Sequence, residues 1–301
     1  MSILKEINCN SCGSQQYHTL TDDKEFRVVK CADCGLIYVN PMPFIPQDTF
    51  HEISSDFYYT DVQENLEAEK IDHTIKTFEQ QAQEWSAFLP ASDKRSLLDV
   101  GCGTGLFVNA AKESGWSACG CDVDKPLVEL GRNRFDIELS HADLHDCHYA
   151  DENFDVVNLK YVLEHLPNPF EVLQETHRVL KPGGIVQIIV PNEDGLYNQI
   201  NVLLRQKTVG RWGTLTPPHH LHAYTPKTLS LMLSRAGFAV RSTLTASPLR
   251  APYGLFQGKG KQASILAKII FNLPEHIGRG SALVAYAQKP KSGVAACKQA
   301  A

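Results

Sequence analysis

Short apolar runs alternate with amphipathic segments along residues 95–191. The runs RSLLDVG, SACGCDV, FDVVNLKY and GGIVQIIVP have the length and continuity of buried parallel strands. Between them, LFVNAAKESG, PLVELGRNR and FEVLQETHRVLKPGG have helical spacing, and KPGG is typical of a helix end. This alternation predicts a doubly wound α/β sheet, which binds ligands at the carboxyl ends of its strands.

The regions on either side of this core have their own patterns. Apolar positions recur at helical spacing from Leu66 to Leu89, which predicts an amphipathic helix that stops at Pro90. A helix at 226–236 and strands at 238–244 and SALVAYAQ complete the core. The predicted parts are an N-terminal ribbon (1–46), a helical linker or lid (47–94), a core domain (95–290) with insertions at 195–225 and 250–280, and a disordered tail (291–301).

Composition narrows the classes of partner. The chain has 301 residues, 43% of them hydrophobic, with a formal net charge of −5, and a nucleic-acid-binding protein usually shows a basic excess instead. No stretch reaches the roughly 18–20 apolar residues that span a bilayer. The start MSILKEINCN lacks the basic and apolar regions of a secretory signal, so we expect a cytoplasmic location.

Four of the nine cysteines form two close pairs, Cys9-x-x-Cys12 and Cys31-x-x-Cys34, each followed by glycine. This spacing is typical of a zinc site in which four thiolates fill the coordination sphere, so the ion would be structural. A ribbon this small does not build an adequate core unaided, and zinc binding would supply folding energy. We expect Cys31→Ser to lose metal and loosen residues 1–46 while the rest stays folded.

The run LLDVGCGTG at 97–105 joins a predicted strand to a glycine-rich turn and a helix. Glycines at such a turn let the backbone approach a ligand closely. The dinucleotide pattern Gly-x-Gly-x-x-Gly is not met, because Leu106 stands at its last position. Asp122 ends the next predicted strand, where an acid accepts hydrogen bonds from ribose hydroxyls. Glycines, acid and strand spacing together predict a site for a ribose-containing ligand.

Six segments resemble the class I S-adenosylmethionine-dependent methyltransferases: LLDVGCGTG, GCDVD, HADLHDCHYADENFDVV, VLEHLPNP, RVLKPGGIVQIIVPN and LHAYTPKTLSLMLSRAGF. They cover about residues 95–290. The N-terminal pattern CxxCG…CxxCGLIYVNP is similar to that of a bacterial group of small-molecule methyltransferases. The resemblance implies a Rossmann-like sheet, S-adenosylmethionine as cofactor and a small-molecule methyl acceptor. In this family the two insertions commonly lie on the substrate side.

The resemblance also implies roles for individual residues. It assigns Asp99 to the methionine amino group, Asp122 to the ribose hydroxyls and Asp143 to the adenine amino group. It adds the turn glycines and the residues beside the adenine and the sulfonium: Gly101, Gly103, Gly105, Val123, Leu144, Leu159 and Lys160. The alternative for Asp99 and Asp143 is that they are ordinary strand-end acids that cap helices.

Histidines are the candidates for proton removal from an acceptor, because a base with a near-neutral pKa suits that task. In PPHHLHAY at 217–224 we expect His220 to be the base, oriented by His222 or His219. His220 and His222 would share a face of an extended segment. His165 is the second candidate. Hydrogen bonding to loop backbone is the structural alternative, and metal binding lacks a nearby carboxylate in this segment.

Two further segments are candidates for contacts with ligands or partners. Tyr58 and Tyr59 precede the long helix and form a lid in one interpretation, while ordinary packing is the other. The apolar segment Gln262–Leu273 is a candidate wall of the substrate pocket, dimer contact or membrane-surface helix.

Three functions stay open at this point. Methylation of a small-molecule hydroxyl comes first, followed by RNA base methylation and a non-catalytic scaffold. The acidic balance and the strand end NLKY, in place of NPPY, argue against RNA. The complete set of glycines and acids argues against a scaffold. The ribbon is expected to pack on the core, bind substrate or dimerise, and the oligomeric state is open.

Overall fold

The computed structural model describes residues 3–22, 26–44, 68–196, 198–199, 214–246 and 277–291. Its strands are β1 (Ile3–Lys5), β2 (Tyr17–Asp22), β3 (Arg27–Cys31), β4 (Ile37–Val39), β5 (Met42–Phe44), β6 (Ser96–Val100), β7 (Ser117–Asp122), β8 (Leu139–His141), β9 (Phe154–Lys160), β10 (Leu180–Pro191), β11 (His222–Ala223), β12 (Ala239–Ala246) and β13 (Ala282–Gln288). Its helices are α1 (Ala68–Ser86), α2 (Leu106–Glu113), α3 (Lys125–Phe135), α4 (Pro169–Val179) and α5 (Pro226–Arg235). Tyr58, Tyr59, Gln262–Leu273 and residues 292–301 lie outside the described residues. Within those described, we find no helix with the length and apolar character needed to cross a membrane.

The larger sheet has seven strands in the order β12–β13–β10–β9–β6–β7–β8. Strand β6 pairs in parallel with both β7 and β9, and β8 and β10 continue the parallel pairing outward. Strand β13 is antiparallel to both of its neighbours. The chain runs outward from β6 to β8 and then returns to β9, so the order reverses beside β6. This confirms the predicted doubly wound α/β sheet and directs attention to the carboxyl end of β6.

Strands β6, β7, β9 and β10 coincide with the four apolar runs, but two boundaries differ from the sequence pattern. Helix α4 ends at Val179, and the KPGG segment lies within the span of β10. The ladder between β9 and β10 shifts register between Leu180 and Ile185, where Gly183 has a φ of 83°. Strand β8 was not predicted, because its three residues are too few to show a period.

Helix α1 forms a layer against the sheet. Phe78 and Trp85 lie two turns apart on one face, and both are fully buried. Their side chains join a buried cluster with Leu97 of β6 and Val156 of β9. The two rings also meet edge to face, with centroids 5.7 Å apart. The described part of the segment expected as a linker or lid therefore packs as part of the core domain.

A second sheet, of four strands, combines strands from distant parts of the chain, in the order β11–β4–β3–β2. Strand β11 pairs antiparallel with β4, so that His222 lies opposite Tyr38. Buried side chains from the ribbon and from the core domain form one hydrophobic cluster. At the same boundary the Ser11 hydroxyl donates a hydrogen bond of 2.7 Å to the carbonyl of Thr228. The ribbon thus packs on the core, one of the three roles that the sequence left open.

Candidate active site

A glycine turn follows β6 at its carboxyl end. Gly101, Gly103 and Gly105 have φ angles of 70°, 53° and 69°, in the left-handed region where a Cβ is costly. A Cβ on Gly101 would lie 2.4 Å from Cγ2 of Val162, in the loop after β9. The turn therefore approaches that loop closely, and a larger residue would force the two apart.

Asp122 ties the glycine turn to the end of β7. Its Oδ2 accepts a hydrogen bond of 2.7 Å from the backbone N–H of Gly103, and its Oδ1 accepts one of 2.8 Å from Asp124. Burial raises the pKa of Asp122, and these backbone N–H groups offset part of that rise because they favour the ionised form. A carboxylate has about four lone-pair sites, so Asp122 retains acceptor capacity for a ligand.

Asp99 ends a buried chain of hydrogen bonds that crosses four elements. The Trp85 indole N–H donates to Gln187 Oε1 at 2.9 Å, and Gln187 Nε2 donates to Asn158 Oδ1 at 3.0 Å. Asn158 Nδ2 then donates to Asp99 Oδ1 at 2.7 Å. Burial raises the pKa of Asp99 to about 7, and the bond from Asn158 opposes that rise. Sequence reasoning missed Asn158 and Gln187, although each is a polar residue inside an apolar run.

The other cofactor candidates lie along the carboxyl edges of β7, β8 and β9. Leu144 and Leu159 are buried, whereas the Lys160 side chain is exposed. Asp143 follows β8 and accepts a hydrogen bond of 2.9 Å from the N–H of Asp146. Val123 is partly exposed, between β7 and α3. Because all of these positions belong to one edge of the parallel strands, the assigned residues line a continuous rim beside the glycine turn.

Glu164, His165 and His220 bring their ligand atoms within 4.8 Å of one another, and we call them the Glu164/His165/His220 cluster. His165 Nδ1 lies 2.9 Å from the carbonyl of His219, and His220 Nδ1 lies 2.7 Å from that of Thr214. The two imidazole rings meet edge to face at 4.7 Å. Burial and the neighbouring His220 lower the pKa of His165 to about 4, and burial also lowers the pKa of His220. Both rings are therefore neutral near pH 7.

Glu164 is the residue of this cluster that the sequence did not single out as functional. Its side chain is 1% exposed, and neither carboxylate oxygen has a hydrogen-bond partner. The nearest charged partner is His165, with Nε2 at 4.0 Å from Oε1. Burial raises the pKa of Glu164 to about 8. The histidine segment does have a carboxylate nearby, but that carboxylate comes from 56 residues earlier in the chain.

His222 lies away from this cluster. It is 1% exposed and stacks between Tyr38 and Tyr224, with ring centroids 6.3 and 6.0 Å away. Its Nε2 lies 3.2 Å from Asn10 Nδ2 of the ribbon, and burial lowers its pKa to about 3. The side chains of His220 and His222 therefore do not lie on one face of the segment. The backbone N–H groups of residues 221 and 222 both donate to the carbonyl of Glu164.

The four ribbon cysteines form a second cluster of ligand atoms, again within 4.8 Å of one another. Cys9 Sγ lies 3.5 Å from Cys34 Sγ, and Cys12 Sγ lies 3.4 Å from Cys31 Sγ. Four sulfurs around a tetrahedral zinc ion would lie about 3.8 Å apart, given a zinc–sulfur distance of about 2.3 Å. The glycines that follow the pairs have φ angles of 83° and 87°, as expected for tight turns around an ion. The residues fit a four-thiolate zinc site.

Several known proteins with similar sequences are methyltransferases. Residues 72–243 match the family described as "Methyltransferase domain". The demethylmenaquinone methyltransferase of Clavibacter sepedonicus is 35% identical over 106 residues, 34% of this chain and 43% of that protein. The ubiquinone biosynthesis O-methyltransferase of Actinobacillus pleuropneumoniae is 31% identical over 104 residues, 31% of this chain and 44% of that protein. The chain spans about half the length or less of these two curated relatives.

Comparison with a solved structure shows which fold this chain shares. One chain of the complex between the Haloferax volcanii Trm112 methyltransferase activator and the putative methyltransferase superposes with a TM-score of 0.50. The match covers 73% of this chain and 95% of that chain at 17% identity, which speaks for the fold alone. The family match on residues 72–243 covers more than half of the chain and includes the glycine turn, Asp122 and the loop after β9. The chain therefore belongs to the methyltransferase domain family, among the class I S-adenosylmethionine-dependent methyltransferases.

Proposed function

We propose that this protein transfers a methyl group from S-adenosylmethionine to a hydroxyl oxygen of a small molecule. The observation that carries the proposal is the close approach of Gly101 to Val162, because Val162 lies in the loop that bears Glu164 and His165 of the Glu164/His165/His220 cluster. Two similar proteins are named for methylation in menaquinone and ubiquinone metabolism, and the second is named an O-methyltransferase. A hydroxyl on an aromatic or quinol-like ring is therefore the first acceptor class to test.

S-adenosylmethionine supplies a methyl group already activated by its sulfonium. Asp122 would accept hydrogen bonds from the ribose hydroxyls with the acceptor capacity left beside its two backbone partners. Asp99 would hold the methionine amino group, and Asp143 with Leu144 would bind the adenine. The Lys160 side chain is exposed, and its positive charge acts on the carboxyl group of Asp99, whose pKa it lowers.

His220 would take the proton of the acceptor hydroxyl. Its Nδ1 lies at hydrogen-bond distance from a backbone carbonyl, which only accepts, so Nδ1 carries the hydrogen and Nε2 keeps its lone pair. His165 has the same arrangement and would orient the acceptor beside it. His219 contributes through its carbonyl oxygen. His222 would instead serve the packing of the ribbon, because it is buried between two tyrosines.

The four cysteines would hold a structural zinc ion. Their thiolates complete a tetrahedral set, so no position stays open for a substrate. The ion would stabilise a ribbon that itself contacts the core through β11. Zinc in this protein would thus support the histidine segment without taking part in methyl transfer.

The first experiment is calorimetric titration with S-adenosylhomocysteine. We expect micromolar binding by the wild-type protein and a loss of about 1.5–3 kcal/mol in Asp122→Ala, the scale of hydrogen bonds to a charged group. Asp122→Asn, which keeps an acceptor oxygen for the glycine turn, separates the loss of ligand contacts from a disturbed turn. Asp93→Ala, at an exposed acid before β6, is the matched control and keeps wild-type affinity.

Labelled S-adenosylmethionine with a panel of phenols, catechols and hydroquinones then tests the transfer itself. Transfer of label to oxygen supports the proposal, and His220→Ala should lower that rate by about 10²–10⁴-fold. Cofactor binding with no transfer to any acceptor of the panel contradicts the proposed acceptor class. Failure of folded, zinc-loaded protein to bind S-adenosylhomocysteine contradicts the proposed function as a whole.

A further inference from the structure

The carboxyl group of Glu164 is buried and lacks a positively charged partner. An ionised carboxylate without solvent or hydrogen bonds is strongly unfavourable in a protein interior. Among the residues that the structure describes, neither lysine nor arginine lies within ion-pair distance of it, and both oxygens lack partners. Two imidazole rings are its neighbours instead. The cluster is therefore a buried carboxyl group, with no hydrogen-bond partner on either oxygen, beside two neutral nitrogen ligands.

The hydrogen bonds of the two rings leave their ligand atoms available. Each Nδ1 lies within hydrogen-bond distance of a backbone carbonyl, 2.9 Å for His165 and 2.7 Å for His220. Because a carbonyl cannot donate, both rings carry hydrogen on Nδ1 and a lone pair on Nε2. Metal-binding histidines are commonly oriented in this way by an acceptor on the other ring nitrogen. The cluster thus offers two imidazole nitrogens and one carboxylate within 4.8 Å.

We propose that Glu164, His165 and His220 bind a divalent first-row transition-metal ion. Imidazole and carboxylate ligands suit Mn²⁺, Fe²⁺, Co²⁺ and Zn²⁺, and three protein ligands leave coordination positions open. A cation here would take the place of the carboxyl proton of Glu164 and act as a partner for its unpartnered oxygens. The site is separate from the four cysteines, whose sulfurs already complete a tetrahedral set.

The purpose of the ion rests on the proposed function. An acceptor hydroxyl at an open position would lie beside the glycine turn, because Val162 in the same loop contacts Gly101. A bound divalent cation lowers the pKa of a coordinated hydroxyl, whose proton passes to solvent. The oxygen then forms its bond to the methyl carbon as the carbon–sulfur bond breaks, and S-adenosylhomocysteine leaves with the electron pair on sulfur. In this state the ion replaces His220 as the group that activates the hydroxyl.

Mn²⁺ is the probe for the site. It favours oxygen and nitrogen ligands and stands low in the affinity order of divalent ions, so it leaves zinc in the four-cysteine site. Full-length, zinc-loaded protein is titrated, and the electron paramagnetic resonance signal of free Mn²⁺ measures binding. We expect one Mn²⁺ per chain, with affinity at least tenfold weaker in Glu164→Gln and in His220→Ala. The exposed positions His73→Ala and Glu113→Gln are matched controls and leave binding unchanged.

Co²⁺ provides a second readout that does not depend on activity. Its ligand-field absorption distinguishes a nitrogen–oxygen site from a thiolate site, so the ribbon and the cluster give different spectra. S-adenosylhomocysteine titration of each variant shows that the fold and the cofactor site are retained. The inference is wrong if wild-type protein binds no Mn²⁺, or if the two cluster variants bind it as tightly as wild type.

Methylation assays with and without added Mn²⁺ separate this inference from the proposed function. Mn²⁺ binding that the cluster variants lose, without methylation of any hydroxyl, would support the metal site and contradict the proposed function. Methylation that is independent of added ions in protein that binds no Mn²⁺ would support the proposed function with His220 as base. That second result would overturn the metal site.

Discussion

In the folded protein, the carboxyl group of Asp99 stays protonated up to a pH well above the ordinary pKa of an aspartate. Burial raises the pKa of its carboxyl from 3.8 to about 7, against the opposing hydrogen bond from Asn158. In the unfolded chain the same carboxyl ionises near pH 4. The folded state therefore binds the extra proton between about pH 4 and pH 7, and this contribution to stability is lost as the pH rises through that window.

Asp99→Asn should remove this pH dependence. The amide keeps an oxygen for the Asn158 Nδ2 donor and cannot ionise. We expect wild type to lose about 2–4 kcal/mol of unfolding free energy from this group between pH 4.5 and 7.5, and the variant to lose none of it. Denaturant unfolding at both pH values measures the difference between the two proteins.

Asp155→Asn is a control of opposite sign. Burial alone would raise the pKa of Asp155, but hydrogen bonds from Lys181 and Ser96 lower it. Its carboxylate therefore adds stability above its unfolded pKa of about 4, and this stability is lost only at more acidic pH. The variant should be less stable than wild type by nearly the same amount at pH 4.5 and at pH 7.5, in contrast to Asp99→Asn. If Asp99→Asn and wild type show the same dependence on pH, the buried carboxyl does not hold a proton in the folded state.

The candidate cofactor-binding residues could be predicted from the sequence, because their roles follow from their positions at the ends of strands. Asp122 and the turn glycines stand at the ends of recognisable strands, and the structure shows that Asp122 bonds to that turn. Glu164 was out of reach as a functional residue, because its importance comes from His220, far along the chain. The orientation of His222 depends on the ribbon, so no pattern within residues 217–224 predicts it.

Helix α3 contains a glycine where intrinsic propensity favours alanine by about 1 kcal/mol. A Cβ at Gly131 would lie 2.1 Å from the carbonyl oxygen of Thr104, in the glycine turn. Backbone atoms cannot move aside as a flexible side chain can, so the steric conflict outweighs the propensity. Gly131→Ala should therefore destabilise the protein by about 1–3 kcal/mol and weaken S-adenosylhomocysteine binding, because the turn must shift.

Thermal unfolding and calorimetry measure these two effects of Gly131→Ala. Leu130→Ala is the control on the same helix, since Leu130 is 38% exposed and lies off the packed face. A rise in stability for Gly131→Ala with unchanged affinity would mean that α3 and the turn separate without cost.

At the scale of elements, hydrophobic periodicity located most of what the structure describes. The stripe that predicts α1 contains Phe78 and Trp85, which are the side chains that pack on the sheet. Hydrophobic periodicity does not predict elements that are very short, such as β8 and β11. The prediction that a helix continues to KPGG was also wrong. Glycines can end a helix, but they can equally form the irregular start of a strand, as they do in β10.

Zinc removal should reach beyond the ribbon, because the ribbon and the core share β11 and one hydrophobic cluster. This differs from the expectation that only residues 1–46 would loosen. In Cys31→Ser we expect faster amide hydrogen exchange at residues 37–39 and 220–224. The glycine turn at 101–105 should keep its protection, since its hydrogen-bond partner Asp122 belongs to β7 and not to the ribbon or to β11.

Hydrogen exchange with mass spectrometry makes this comparison, alongside zinc analysis. Cys119→Ser is the matched control, since Cys119 lies in β7 and outside the four-cysteine cluster. Loss of zinc with unchanged exchange at residues 220–224 would mean that the histidine segment holds its place without the ribbon. Retention of zinc in Cys31→Ser would contradict the four-thiolate site.

For the whole molecule, the sequence predicted the two units but left their relation open. The cysteine spacing indicates a ribbon because ion geometry is local. Docking depends on complementary surfaces far apart in the chain, such as Ser11 against Thr228 and Asn10 against His222. A single sequence carries no periodic signal for such contacts, which is why packing on the core, substrate binding and dimerisation were equal alternatives.

The pairing of β4 with β11 sets an order of events during synthesis on the ribosome. Val39 leaves the ribosome long before its partner strand, which begins 183 residues later at His222. At about 5–20 residues per second, the ribbon waits roughly 10–40 seconds for that strand. During this interval the edge of β4 has no partner and the buried face of Tyr38 lacks its cover. Early metal capture by the nascent ribbon would protect it, so zinc supply during translation should affect the yield of this protein more than zinc supply afterwards.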